Sequence, residues 1–156
     1  MKRIFAVLLI FILIFAVYGC SEKEDKKENG ENESFELPKL NGEPGDWEFY
    51  NSRAEYFVIS MANGDFDSAF EMFDDVMAPL MPAASLKNDL WDNIIPQAGA
   101  FVEINKIENT MLDGYYVCFT TSEHKKTGVT LRVVFSENGS ISGLFVDGYP
   151  EIEKDG

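Results

Sequence analysis

Beyond Gly99 the apolar residues recur at every second position, and this change of period limits what the chain can become more than any other feature. Val102 and Ile104, then Tyr115, Val117 and Phe119, then Val129, Leu131, Val133 and Phe135, then Ile141, Gly143 and Phe145 alternate with more polar neighbours. That is the pattern of strands with one buried face. Asp113-Gly114, Lys125 to Gly128 and Glu137 to Ser140 separate the runs as short hairpin connectors. Four strands joined only by hairpins form an antiparallel meander, and its apolar face needs a cover.

The cover is expected from the preceding segment, where the period is helical. Ser52-x-x-Glu55 reads as a capping box, followed by Ala54, Phe57, Val58 and Met61 on one face and Asn63-Gly64 as the stop. A second helix is expected from Asp65, with Phe66, Ala69, Phe70, Phe73 and Met77 in its apolar stripe and Glu71, Asp74 and Asp75 outside it. Pro79 and Pro82 break the chain, and Ser85 caps a third helix whose apolar face is Leu86, Leu90, Trp91 and Ile94. The fold class is therefore α+β: about three N-terminal helices packed on a four-stranded, antiparallel, curved meander.

The N-terminus obeys different rules. Lys2 and Arg3 precede an unbroken apolar run from Ile4 to Val17, too short for a spanning helix and suited to the core of a secretory signal. Val17, Tyr18 and Gly19 then lead into Cys20, an order that resembles the lipobox of prokaryotic lipoproteins. The resemblance implies cleavage after Gly19, a diacylglyceryl group on the Cys20 thiol and palmitate-type chains as the membrane anchor. Two acyl chains hold durably where one binds marginally. Ser21 to Ser34 is free of apolar side chains and carries both charge signs, as a disordered tether does. The expected organisation is a signal peptide at 1–19, lipidated cysteine and acidic tether at 20–45, a folded domain at 46–147 and a tail at 148–156, with the domain on the extracytoplasmic side of the cell membrane.

With 13 Lys+Arg against 27 Asp+Glu the net charge is −14. So acidic a body is repelled by phosphate backbones, and nucleic acid is not an expected partner. No catalytic constellation stands out. His124, the sole histidine, falls beside Lys125-Lys126 at an expected turn and reads as solvated surface. Cys118 reads as a small buried hydrophobe without a base. Glu71, Asp74 and Asp75 read as a solvated helix face, so neither metal nor cofactor is expected. If the sheet has an inward pocket, the alternation assigns it Tyr115, Val117, Phe119, Thr121, Leu131 and Val133. The opposite face then carries Tyr116, Cys118, Thr130, Arg132 and Val134.

The runs "ANGDFDSAFEMFDDVM", "LWDNIIPQAGAF" and "VTLRVVFSENGSISGLFV" resemble a small bacterial and archaeal domain family of unknown function within the nuclear-transport-factor-2-like superfamily, a cystatin-like cone of helices against a curved sheet. The resemblance spans about Asn51 to Val146 and implies fold and context without catalytic residues to carry over. The expected function is a non-enzymatic, lipid-anchored binding domain for a small apolar ligand or another protein. The alternatives are an isomerase- or hydrolase-type enzyme using the cone pocket around Tyr115 and Thr121, and a homodimer formed through the open sheet face.

Overall fold

The computed structural model describes residues 34–151. The expected signal peptide, Cys20, the tether up to residue 33 and residues 152–156 lie outside the described residues. The described chain is α+β, with its helices ahead of a four-stranded antiparallel sheet. Helix α1 (Trp47–Ala62) is followed by α2 (Phe66–Phe70). The third helical region runs without a break through α3 (Ala83–Ser85), a π-helical segment (Leu86–Trp91) and α4 (Asp92–Ala98). Strands β1 (Phe101–Leu112), β2 (Tyr115–His124), β3 (Gly128–Phe135) and β4 (Ile141–Gly148) lie side by side in chain order. Among the described residues no helix is long and apolar enough to cross a membrane.

Helix α1 presents Tyr50, Ala54, Phe57, Val58 and Met61 to the core at three- and four-residue spacing, all at most 1 % exposed. It opens at Trp47 after Asp46, not after Ser52 as the capping-box pattern suggests. Ser52 lies inside the helix, where its hydroxyl receives the Asn41 N–H at 3.1 Å and reaches the Asn41 and Phe49 carbonyls. Residues 34–45, which composition assigns to the tether, lie against the domain. Asn63 bonds both backbone groups of Phe35 at 2.8 Å, and the Phe35 ring meets Phe101 edge-on at 4.8 Å. Gly42 permits this path: at φ +80° a side chain would be strained, and a Cβ there would stand 2.7 Å from the Phe49 nitrogen.

The second helix is shorter than its apolar stripe. Asp65 caps it by accepting the Ser68 N–H, but it ends at Phe70. Phe73 then forms a parallel bridge with Ile141, while Ile141 N–H donates to Met72 O and Asp74 N–H to Ile141 O. Backbone groups at the start of β4 would otherwise lack partners, and this sheet contact replaces another helical turn. Phe73 and Met72 still join the core by this route.

The β2–β3 register corrects the sequence reading of the sheet faces. Tyr116 stands opposite Phe135, Cys118 opposite Val133, Thr120 opposite Leu131 and Ser122 opposite Val129. Directly opposed residues share a face, and this one meets the helices: Tyr116 stacks on Tyr50 at 3.9 Å, and the Cys118 thiol donates toward the Asn51 side-chain Oδ1 at 3.8 Å. Tyr115, Val117, Phe119 and Thr121 therefore point away from the helices, while Leu131 and Val133 point toward them as expected. Tyr116 and Cys118 leave the open face to which alternation assigns them.

Tyr50 ties α1 to the segment before it and to the β3–β4 turn. Its hydroxyl donates to Glu137 O at 2.8 Å and accepts the Gly45 N–H at 3.2 Å, with its ring wholly buried. Tyr50→Phe leaves both partners short of a bond and is expected to lower unfolding stability by about 1–3 kcal/mol, read from urea titration. A loss below about 0.5 kcal/mol would show that these bonds carry no net stability.

Candidate binding groove on the outer sheet face

The face turned away from the helices is not flat. Leu112, Asp113, Tyr115, Val117, Arg132, Val134 and Phe145 enclose an open groove of about 270 Å³. Cross-strand pairing assembles it: Leu112 opposes Tyr115, Val117 opposes Val134, and Arg132 opposes Phe145. Gly143, opposite Val134, leaves room for the neighbouring ring, since a Cβ there would lie 3.2 Å from Phe145 Cε2. The Arg132 guanidinium sits 4.4 Å from the Phe145 ring centroid, and its Nη2 is 3.3 Å from Asp147 Oδ1. Planar stacking with a carboxylate at one edge is an arrangement that arginine fits better than lysine. Tyr115 and Phe145 remain 44 % and 49 % exposed, whereas Val117 between them is 2 % exposed. The result is an apolar floor with aromatic walls and one fixed cation. A wider, shallow depression of about 510 Å³ is lined by Pro44, Ser136, Glu137 and Asn138 and has no comparable apolar wall.

Of the six residues expected in an inward pocket, Tyr115 and Val117 line this outer groove. Phe119 and Thr121 share its face without lining it, and Thr121 bonds Thr130 across the strands at 3.0 Å. Leu131 and Val133 are core residues on the other side, at most 1 % exposed. The sheet's helix-facing side is filled by a core that runs from Tyr50 to Leu144.

His124 is not the solvated turn residue that its neighbours Lys125 and Lys126 suggest. It ends β2 at 1 % exposure, between Trp91 and Phe101, with Nδ1 3.0 Å from Gly99 O and Nε2 3.2 Å from Ser122 Oγ. Gly99 O can only accept, so Nδ1 carries the proton and Nε2 is left to accept from Ser122. A serine beside a histidine has the makings of a nucleophile and base. Here both are buried, Ser122 also reaches Val129 O at 3.3 Å, and the ring is oriented by a carbonyl in place of a carboxylate. The pair acts as a satisfied polar seam inside the core. Cys118, Thr120, Ser122 and His124 share one phase of the alternation, and the pairing with β3 shows that this phase is the buried one.

Cys118 belongs to the same seam, and burial pushes its thiol up to about 12, far from thiolate chemistry at neutral pH. Nor is Asp74 part of an open acidic face. It accepts the Val76 and Met77 N–H groups and the Ser142 hydroxyl at 2.6 Å. Burial disfavours its charge, but these donors outweigh it and hold the carboxyl below its ordinary range. Among the described residues no three His, Cys, Asp or Glu side chains gather closely enough to hold a metal ion.

Burial is the main cause that holds His124 below its ordinary 6.5, opposed by the bond to Gly99. The unfolded chain therefore takes up a proton near pH 6.5 that the folded chain refuses. Its contribution to stability is complete above that pH and declines as the pH falls through the depressed folded value. Urea titrations between pH 7.5 and 5.5 are expected to show stability falling more steeply in the wild type than in His124→Gln. Identical slopes would place the histidine in water.

No curated protein and no solved structure matches the chain. Residues 54–144, from the middle of α1 to Leu144 on β4 and more than half of the chain, match a family model described as a protein of unknown function, DUF3887. Helices and sheet together are thus the family's unit, and the chain belongs to the DUF3887 family.

Proposed function

We propose that the protein is a lipid-anchored, extracytoplasmic binding domain, of nuclear-transport-factor-2-like type, that engages its ligand or partner through the outer face of the sheet. The carrying observation is the contrast between the faces. The helix-facing side is occupied by a continuous core, whereas the other side holds an open groove with exposed Tyr115 and Phe145 and a stacked Arg132. Ligand sites are concave and mostly apolar, with a few placed polar groups, and this groove has that composition. The reading is non-enzymatic. General acid–base work needs a group of suitable pKa within hydrogen-bond reach of the substrate, while the histidine is enclosed and the cysteine is held protonated. Anchoring rests on the order of apolar run, Gly19, Cys20 and polar segment. A second copy of the chain is the rival occupant of the groove, favoured by the exposed aromatic rings.

Three measurements test the proposal. Cys20→Ser is expected to leave an unprocessed precursor or to release the protein from the detergent-extractable membrane fraction, and wild-type processing and fractionation would refute the anchor. Anilinonaphthalene sulfonate, an apolar probe with an anionic group, is expected to brighten on the folded chain and to bind about tenfold more weakly to Phe145→Ser. Unchanged dye binding would remove the groove as the site. Sedimentation of a dimer that Phe145→Ser dissolves would assign the groove to a second copy.

A further inference from the structure

We infer that the distal half of β1 is an acceptor for a basic, extended polypeptide segment, which adds to the sheet as a fifth strand. β1 is an edge strand, paired with β2 on one side. Among the described residues no backbone group pairs with it from the other side. Its first half is protected. Phe101 is buried under Phe35, and the register slips between Phe101 and Glu103 and again between Ile104 and Lys106. Bulges and lysines are the usual means by which edges are kept from pairing.

Beyond Lys106 the protection stops. From Lys106 to Leu112 the pairing with Thr121 to Tyr115 is unbroken, and the hairpin closes through Asp113 and Gly114 at φ +51° and +86°. This two-residue turn, positive at both positions, matches strand twist and keeps the arm regular. Glu108, Asn109, Thr110, Met111 and Leu112 are all exposed, so β1 is uncovered on both faces there. Met111 and Leu112 are 56 % and 59 % exposed. The other edge differs, since Met72 to Asp74 already pair with the start of β4.

Charge selects the occupant. On the outer side of the arm stands Glu108, with Asp113 at the turn, while Glu103 and Glu123, directly opposite each other, stand at the far end of the β1–β2 pair. Lys106, 3.0 Å from Glu108, is the nearby base. A chain with a net charge of −14 attracts a basic segment and repels an acidic one. An added strand would present one set of side chains beside Glu108, Thr110 and Leu112 and the alternate set beside Ile107, Asn109 and Met111. The matching segment is therefore basic on the outer side, with lysine stems covering Leu112, and apolar on the helix side. A second copy fits worse, because it brings another net charge of −14. The acceptor is a backbone edge and not the face groove, so either site can fail without the other.

The test uses the full chain in a neutral detergent and an acetylated, amidated heptapeptide alternating Lys and Val. Two control peptides accompany it: one alternates Glu and Val, and the other keeps the lysines but carries proline at two valine positions. Amide hydrogen exchange across residues 107–112 is expected to slow with the Lys-Val peptide and with neither control. Thr110→Lys and Glu108→Lys, both at exposed positions, are expected to weaken the effect at least about tenfold. Added salt is expected to weaken it as well. Equal binding of the proline peptide without protection at 107–112 would reduce the interaction to charge adhesion and overturn the proposal. Protection that grows with protein concentration in the absence of peptide would overturn it in favour of a second copy. Phe145→Ser is expected to leave the peptide effect intact, which separates this site from the groove.

Discussion

Because a strand alternates faces at every residue, the register that sets Cys118 opposite Val133 and Thr120 opposite Leu131 decides the role of every side chain on β2. Shifted by one residue, it would bury Tyr115, Phe119 and Thr121 under α1 and expose Cys118, Ser122 and His124. Two contacts hold it against that slip: Tyr116 stacked on Tyr50, and the Cys118 thiol at Asn51. The hairpin at Asp113-Gly114 sets the neighbouring β1–β2 register from the other side, since a two-residue turn leaves no slack. Core, polar seam and outer groove all follow from this phase.

The core that results is not uniformly apolar. Tyr50, Cys118, Ser122 and His124 bring polar atoms inside with a partner each, Glu137 O and Gly45 N–H for Tyr50, the Asn51 side-chain oxygen for Cys118, His124 Nε2 for Ser122 and Gly99 O for His124, whereas Ser60 Oγ and Thr120 Oγ1 are buried without one among the described residues. Several of these partners are backbone groups from loops or helix ends, so the bonds join elements far apart in the chain. A buried donor without its acceptor costs about 1–3 kcal/mol, so these bonds penalise arrangements in which loops and strands are misplaced. The same enclosure that gives the seam its structural value removes it from chemistry, because no substrate atom can reach it.

The core leaves the outer sheet face and the edge of β1 uncovered. The outer groove exists because Gly143 yields space to Phe145 and because Arg132 lies along that ring with Asp147 at its edge. The distal half of β1 keeps its pairing with β2 while its own side chains stay exposed. Both features meet at Leu112, Asp113 and Tyr115, which contribute to the groove and to the hairpin end. Binding surfaces of this kind allow recognition without entry into the core.

By itself the sequence determined the class and order of elements: the change of period at Gly99, the Asp113-Gly114 turn and the apolar stripe of α1 each act within a few neighbours, and local sterics and burial suffice to read them. Even there, Ser52-x-x-Glu55 misled, because a serine inside a helix and a serine at its start look alike until Asn41 is seen to take its hydroxyl. Tertiary structure decided the rest. Phe73 left its helical stripe because β4 needed backbone partners, and residues 34–45 left the tether because Asn63, Ser52 and Tyr50 offered hydrogen bonds. The phase of β2 could not be read from alternation, since Val117 and Phe119 are as apolar as Cys118 is buried, and only pairing with β3 under α1 distinguishes the two faces. His124 carries the same lesson. Two flanking lysines describe its neighbours in sequence, whereas Trp91, Phe101 and the Gly99 carbonyl, which set its environment, are brought to it by the fold.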